Sequence, residues 1–330
     1  MKKRLFGKTP EGEEIYIFEL KDGDSTAEII NYGARIASWR PIYERDILGG
    51  YDTLEDYIKD ESDQGATIGR VANRIENAEF TLDGAIYMLT ENNHGNCLHG
   101  GVGFRKRVFT PEAYDGKSVT MSYYSPDGED GFPAGLLTKV TFTISGTALI
   151  IKYEATPDGK TPIALTNHSF FNLDGFGGDI MNHLATIYAD RYTAVDERLI
   201  PTGERPLVEG TVFDLRAPQR IGISPTGFDH NFILCPKVSK EFEEINVPLI
   251  ATVENADMRL NTYTDQPGVQ FYTGNFLGGD HNFRGGVRKV KHGAFCLEAQ
   301  TEPNCIKHGE AIYDAGEIYR QITVYEAEAK

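Results

Sequence analysis

Apolar and polar residues alternate with period two through much of this chain, and that spacing constrains its fold more than any other feature. Val119, Met121 and Tyr123 fall on one side of an extended segment, with Ser118, Thr120 and Ser122 on the other. A strand buried on one face and open on the other carries this pattern. It returns at Val140, Phe142 and Ile144 against Lys139, Thr141 and Thr143, then Ser145-Gly146, then Leu149, Ile151 and Tyr153. Two alternating runs joined by a short glycine turn predict an antiparallel hairpin. Near the C-terminus Ile318, Ile322 and Val324 predict another strand, with Tyr319, Thr323 and Tyr325 on its opposite face.

Helical spacing is scarce. Leu54, Tyr57 and Ile58 predict one short helix with a buried face, capped by Asp52 or Thr53. Elsewhere 35 glycines and 15 prolines, spread along all 330 residues, break up any long helix. The expected architecture is all-β, a large antiparallel β-sandwich with few short helices. No stretch reads as a linker, so residues 1–330 are expected to form a single domain.

An acidic balance narrows the partners. Lys and Arg number 33 against 49 Asp and Glu, a formal charge of −16 that repels nucleic-acid phosphates and anionic lipid headgroups. No nucleic acid and no membrane are expected; a neutral small molecule fits better. Lys2, Lys3 and Arg4 are not followed by the apolar run of a signal peptide, and no segment reaches membrane-spanning length, so the expected location is cytoplasmic. Cys97, Cys235, Cys296 and Cys305 lack C-x-x-C spacing and read as reduced thiols. Asn167-His168-Ser169 matches a glycosylation sequon, which without a secretion signal reads as coincidence.

Cofactor chemistry finds little support. Gly101-Val102-Gly103 is followed by Lys106 where a dinucleotide fingerprint needs its third glycine, and Gly222-Ile223-Ser224-Pro225-Thr226 lacks the closing glycine of a nucleophile elbow. No His, Cys, Asp or Glu grouping has dependable metal spacing, so neither metal nor cofactor is expected. His94, His183, His230, His281, His292 and His308 read as surface or structural residues.

Titratable residues gather instead in six strings. They are Gly69-Arg70-Val71-Ala72-Asn73-Arg74-Ile75, Leu98-His99-Gly100-Gly101, Leu165 to Leu173 around His168, Phe228-Asp229-His230-Asn231-Phe232, Val269 to Phe276 around Gln270, and Phe295-Cys296-Leu297-Glu298-Ala299-Gln300. In these strings, in this order between about residues 65 and 304, the sequence resembles the aldose 1-epimerase (galactose mutarotase) family. The resemblance implies the family's supersandwich fold with an open cleft, no cofactor, and a free aldose such as galactose or glucose as substrate. It implies that His168 is the general acid and Glu298 the general base. It further implies that His99 lies near the ring oxygen and that Asn73, Arg74, Asp229 and Gln270 contact the sugar. Arg74 is preferred to Arg70 because its distance from His99 suits the family spacing.

The chemistry is consistent with so small a set. Exchange of anomers needs only proton transfers, and a carboxylate with an imidazole supplies them. Protonated His168 must donate to the ring oxygen, so nearby carboxylates such as Asp229 are expected to hold its pKa up, and the rate profile is expected to be bell-shaped in pH. Competing readings remain on the residues themselves. Cys296, Glu298 and Gln300 share one face of a strand that could be solvated, and Asp229 and Arg74 could form a structural ion pair. Phe170, Phe171, Phe228, Tyr272 and Phe276 could stack on a sugar or pack a core. A non-catalytic sugar-binding protein, a hexose 6-phosphate epimerase using Arg105, Lys106 and Arg107, and a glycosidase are the rival functions. The preferred sugar and the oligomeric state are not written in these residues.

Overall fold

The expected alternation builds a ten-stranded antiparallel sheet. The computed structural model describes residues 2–279 and 282–330, so His281 lies outside the described residues. Strands Thr110–Tyr114, Ser118–Ser125, Leu136–Ser145 and Ala148–Pro157 form a meander, with Val119, Met121, Val140, Phe142 and Ile144 all buried. The predicted hairpin is present, its turn at Gly146-Thr147. The C-terminal strand, Tyr319–Ala329, then lies between Ala148–Pro157 and Met258–Thr264. Ile318 stands outside that strand and is 40% exposed, contrary to expectation. Being central, the strand buries both faces: Ile322 and Val324 pack in one apolar cluster, Tyr319 and Tyr325 in another.

A second, four-stranded sheet packs against the first. Its order is Ala189–Tyr192, Asp229–Leu234, Gly268–Tyr272, Cys296–Gln300. Phe232, Val269, Phe271 and Leu297 point into the main core with Tyr325, Leu260 and Val253. Each such side chain contributes roughly 1.5–3 kcal/mol of burial free energy, which pins the strands' inward face and hence their register. Two hydrogen bonds join the sheets directly: Tyr325 donates to the Leu297 carbonyl at 2.9 Å and Gln321 Nε2 to the Ala299 carbonyl at 3.1 Å. An N-terminal sheet of Lys2–Lys8, Glu14–Asp22, Ser25–Ile30 and Arg35–Arg40 adds Phe18, Leu20, Ile29 and Trp39 to the same core. The whole is an all-β, antiparallel sandwich, and its α-helix, Leu54–Lys59, is capped by Thr53, whose hydroxyl accepts from Asp56 N–H.

Arg70 is spent on this scaffold. It is 2% exposed, and its guanidinium donates to Ser125 Oγ at 2.9 Å and to the carbonyls of Ser125, Pro126 and Pro133 at 2.9–3.0 Å. Arg70→Met would leave those carbonyls buried without donors and should cost on the order of 3–5 kcal/mol in urea unfolding. Arg74→Met should cost under about 1 kcal/mol, because Arg74 keeps a single hydrogen bond to the scaffold.

Candidate active site

Register carries the functional residues into rows. Across the four-stranded sheet Asn231 pairs with Gln270, and Gln270 with Glu298; one step along, Asp229 pairs with Tyr272, and Tyr272 with Cys296. Directly opposed residues of antiparallel strands share a face. This is the face opposite Phe232, Phe271 and Leu297, so the polar residues turn toward a cleft of about 920 Å³. The strand face read as possibly solvated is therefore buried, with Glu298 only 2% exposed. Glu298 Oε2 makes no protein hydrogen bond, while Gln270 Nε2 donates to Asp229 Oδ1 at 2.7 Å.

His168 enters from the neighbouring short strand Thr166–Asn167, which pairs with Thr67–Ile68. Its backbone is fixed at both ends: its N–H donates to Ala66 O at 2.9 Å, and its carbonyl accepts from Gly65 N–H at 2.8 Å. Gly65 has φ +68, and a Cβ there would lie 2.1 Å from the Ile36 carbonyl, so only glycine allows the contact. Across the cleft His168 Nε2 lies 3.6 Å from Glu298 Oε1. Asn167 and Ser169, the other sequon residues, are buried and hydrogen-bonded to each other.

His99 is held by Asn73. Asn73 N–H donates to His99 Nδ1 at 3.2 Å, and His99 N–H to the Asn73 carbonyl at 3.0 Å. The two glycines after His99 let this turn nest: at Gly100, with φ +76, a Cβ would sit 2.2 Å from the Gly69 carbonyl. The rings of His99 and His168 meet edge to face at 5.3 Å. Arg74 follows Asn73 and is fixed by Nε donation to Asn93 Oδ1 at 3.1 Å. All seven residues singled out in the sequence line this one cleft, whereas Arg70 does not. Asp229 and Arg74 make no salt bridge, so the alternative of a structural pair fails.

Burial dominates the electrostatics. It pushes the Glu298 carboxyl well above the ordinary range, with Asp229 and Asp63 adding to the rise and Arg74 opposing it. It pushes His168 down to about 4, despite raising influences from a hydrogen bond to its own main chain and from Asp60, while Arg105 and Arg35 add to the fall. The expectation that Asp229 holds the His168 pKa up is thus overturned: Asp229 acts on Glu298, and desolvation governs the imidazole. His99 is pushed well below its usual value, by burial first and then by His168.

His99, His168 and Glu298 form a grouping of metal-binding size, with potential ligand atoms within 4.8 Å of one another, although the sequence showed no metal spacing. Their hydrogen bonding suits proton transfer instead. A metal-bound imidazole needs its lone pair toward the ion and its hydrogen on the other nitrogen. The Asn73 N–H occupies the Nδ1 lone pair of His99, so the hydrogen sits on Nε2.

Several cleft residues escaped the sequence reading. Asn93 orients Arg74, and Asp60, Asp63 and Lys289 build the wall beyond His168. None stands in a recognisable string. Of the five aromatics, Phe170, Tyr272 and Phe276 line the cleft, Phe276 being 79% exposed, while Phe171 and Phe228 are core. Arg105, Lys106 and Arg107, the candidate phosphate-binding residues, are tied into the scaffold: Arg105 pairs with Asp63 at 3.0 Å, Lys106 donates to the Ile58 and Asp60 carbonyls, and Arg107 pairs with Glu129 at 3.1 Å.

Comparison with known proteins identifies the family. Residues 16–326 match the aldose 1-epimerase family model, and the chain belongs to that family. It is 43% identical to the galactose mutarotase of Homo sapiens over 92% of this chain and 91% of that protein. It is 34% identical to the aldose 1-epimerase of Escherichia coli, with 96% of each chain covered. An aldose epimerase homologue from C. elegans superposes with a TM-score of 0.86 at 27% identity, covering 95% of this chain and 98% of that one.

The depressed His168 pKa has a stability consequence. Above pH 6.5 the residue is neutral in folded and unfolded chains alike; below it the unfolded chain takes the proton, while the folded chain refuses until about pH 4. Stability therefore falls as pH drops through that window. His168→Asn removes this contribution, so its stability relative to wild type should rise by on the order of 1–2 kcal/mol between pH 7 and pH 5 in urea unfolding. A difference that stays constant would mean that burial does not perturb the imidazole.

Proposed function

We propose that this aldose 1-epimerase interconverts the α and β anomers of a free aldose, with Glu298 and His168 moving the two protons. The observation that carries this reading is their facing geometry, 3.6 Å apart in a buried cleft wide enough for a pyranose. Ring opening takes the proton of the C1 hydroxyl to Glu298 and brings one from His168 to the ring oxygen, and the ring C–O bond breaks as the aldehyde forms. Rotation about C1–C2 presents the other carbonyl face. Reclosure reverses both transfers, so the pair ends as it began.

Proton counting explains the opposed pKa shifts. Carboxylate with imidazolium and carboxylic acid with neutral imidazole hold the same single proton. Burial favours the neutral arrangement, which is the one left after ring opening. Arg74, which lowers the Glu298 pKa, favours the charged arrangement that attacks the closed ring. Its terminal nitrogens, with Asn73, Asp229 and Gln270, are placed to hold the sugar hydroxyls. His99, neutral with hydrogen on Nε2, is suited to donate toward the ring oxygen without competing for its proton.

The charges of the cleft support a free sugar over a phosphorylated one. Lys59 pairs with Glu55 at 2.5 Å, Arg198 with Glu76 and Asp196 at 3.1 and 3.2 Å, and Lys289 with Asp60 at 3.7 Å. Anion binding would have to compete with each of these. Four cysteines without disulfides, three of them buried, are consistent with the cytoplasm.

Polarimetry on freshly dissolved α-galactose and α-glucose should show accelerated decay of rotation, with glucose 6-phosphate little affected. Glu298→Gln and His168→Asn should each lower kcat by about 10²-fold or more. The acid limb of kcat/KM should fall near pH 4, below the usual histidine range. Bound sugar whose rotation decays at the spontaneous rate would identify a sugar-binding protein instead.

A further inference from the structure

Asn231 and Gln300 stand in the strings that carry the cleft residues, yet neither lines the cleft. Both are buried, Gln300 completely. Gln300 lies two residues beyond Glu298 on one strand and pairs with Gly268, while Glu298 pairs with Gln270 and Gln270 with Asn231. Residues two apart on a strand share a face, so Gln300 stands beside Glu298 in the next row. Gly268 leaves that row open: a Cβ there would lie 2.6 Å from Asn231 Oδ1, which leans over the glycine into the space beside Gln300.

Donors and acceptors do not balance on this face. Thr193 has one hydroxyl hydrogen, given to Glu302 Oε1 at 2.8 Å, so it accepts from Asn231 Nδ2 at 3.0 Å and Asn231 Oδ1 turns the other way. Gln270 Nε2 is likewise committed to Asp229. Asn231 Oδ1, Gln270 Oε1 and Glu298 Oε2 are thus buried acceptors without protein partners. Among the described residues of these strands, the one buried side-chain donor without a partner is the Gln300 amide.

We propose that Gln300 is the positioning residue of the general base: its amide, directly or through one ordered water, gives one hydrogen to Glu298 Oε2 and the other to Asn231 Oδ1, so that the sugar proton is taken up and returned at Oε1 alone. An amide –NH2 has two hydrogens for these two acceptors. Oε1 is the oxygen that faces His168 Nε2 at 3.6 Å, and so the one that meets the reacting hydroxyl. Oε2 then remains an acceptor throughout the cycle, first as an oxygen of the carboxylate and then as the carbonyl of the acid. A donor there serves both states and holds the ionised one more strongly, which offsets part of the burial that opposes ionisation. Asn231 is itself fixed by Thr193 and Glu302, and Glu302 by Arg205, so the amide is anchored to the scaffold and not to the sugar.

The inference rests on Glu298 as the base, and its test reads the carboxyl directly. Gln300→Met keeps the length of the side chain and removes both amide groups. In carbon NMR of glutamate-labelled protein without sugar, the Glu298 carboxyl should titrate higher by about 0.5 or more in the variant. With galactose, kcat should fall about tenfold with KM within about twofold. Asp229, Asp63, Arg74 and His168 surround Glu298 in both proteins, and Cys296, Tyr272 and Tyr325 stay neutral, so the change is traceable to the amide. A Gln300 that only fills space predicts a different pattern: methionine, with no polar atoms to desolvate, would raise stability to urea and leave titration and kcat unchanged. That result, or a rise in KM at constant kcat, overturns the proposal. Thr166 Oγ1, on the neighbouring short strand, is also buried without a partner. Thr166→Val should leave the titration alone; a shift there in place of one in Gln300→Met overturns the assignment to Gln300. In wild-type crystals at atomic resolution, Gln300 Nε2 or a water bonded to it should lie within about 3.2 Å of Glu298 Oε2, and a cation or no contact in that place counts against it. Failure of the Glu298 role itself would show separately, as full activity in Glu298→Gln.

Discussion

The packing of one sheet face against the main core is what the rest of the molecule depends on. Phe232, Val269, Phe271 and Leu297 lock into apolar surroundings, and every second residue on the same strands is thereby turned toward the cleft. A slip by one residue in any of these strands would exchange cleft-facing groups for core groups. Stability and function are enforced by the same register, so the strand that carries Glu298 cannot relax without unpacking the sandwich.

Dryness is the second consequence of that packing. The face carrying Glu298 is covered by the His99 and His168 turns, and buried carboxyl and imidazole groups both resist charge. Acidic groups nearby show how pairing decides the outcome. At Asp60 burial raises the pKa, but Arg35, Ser62 and Lys289 together hold it down to about 2. Asp63 is pushed up to about 6 by burial, with Arg105 opposing. Glu298, with Arg74 opposing only through space, is raised well above the ordinary carboxyl range.

Much of the strand pattern was legible because period-two alternation is a local property. It located the Leu136–Ser145 and Ala148–Pro157 hairpin and the strands at Ser118 and Tyr319. It failed at Ile318, where apolar character alone did not tell a strand residue from the exposed one before it. The seven cleft residues were legible through family resemblance, since nothing local in a string such as Leu98-His99-Gly100-Gly101 says that His99 will meet His168. The glycines of these strings acquire their meaning only in space, where Gly65 and Gly100 abut the backbone of distant segments.

The chain alone determined the all-β class, the residue types that line the cleft, and the acidic net charge. Tertiary structure decided which arginine serves the cleft and which the scaffold, since Arg70 and Arg74 differ only in what surrounds them. It also decided that Asp229 acts on Glu298 rather than on His168, and that desolvation outweighs pairing at the imidazole. Local sequence records spacing along the chain, whereas a pKa and a hydrogen-bond partner depend on distance and solvent, which only the folded packing of remote segments establishes.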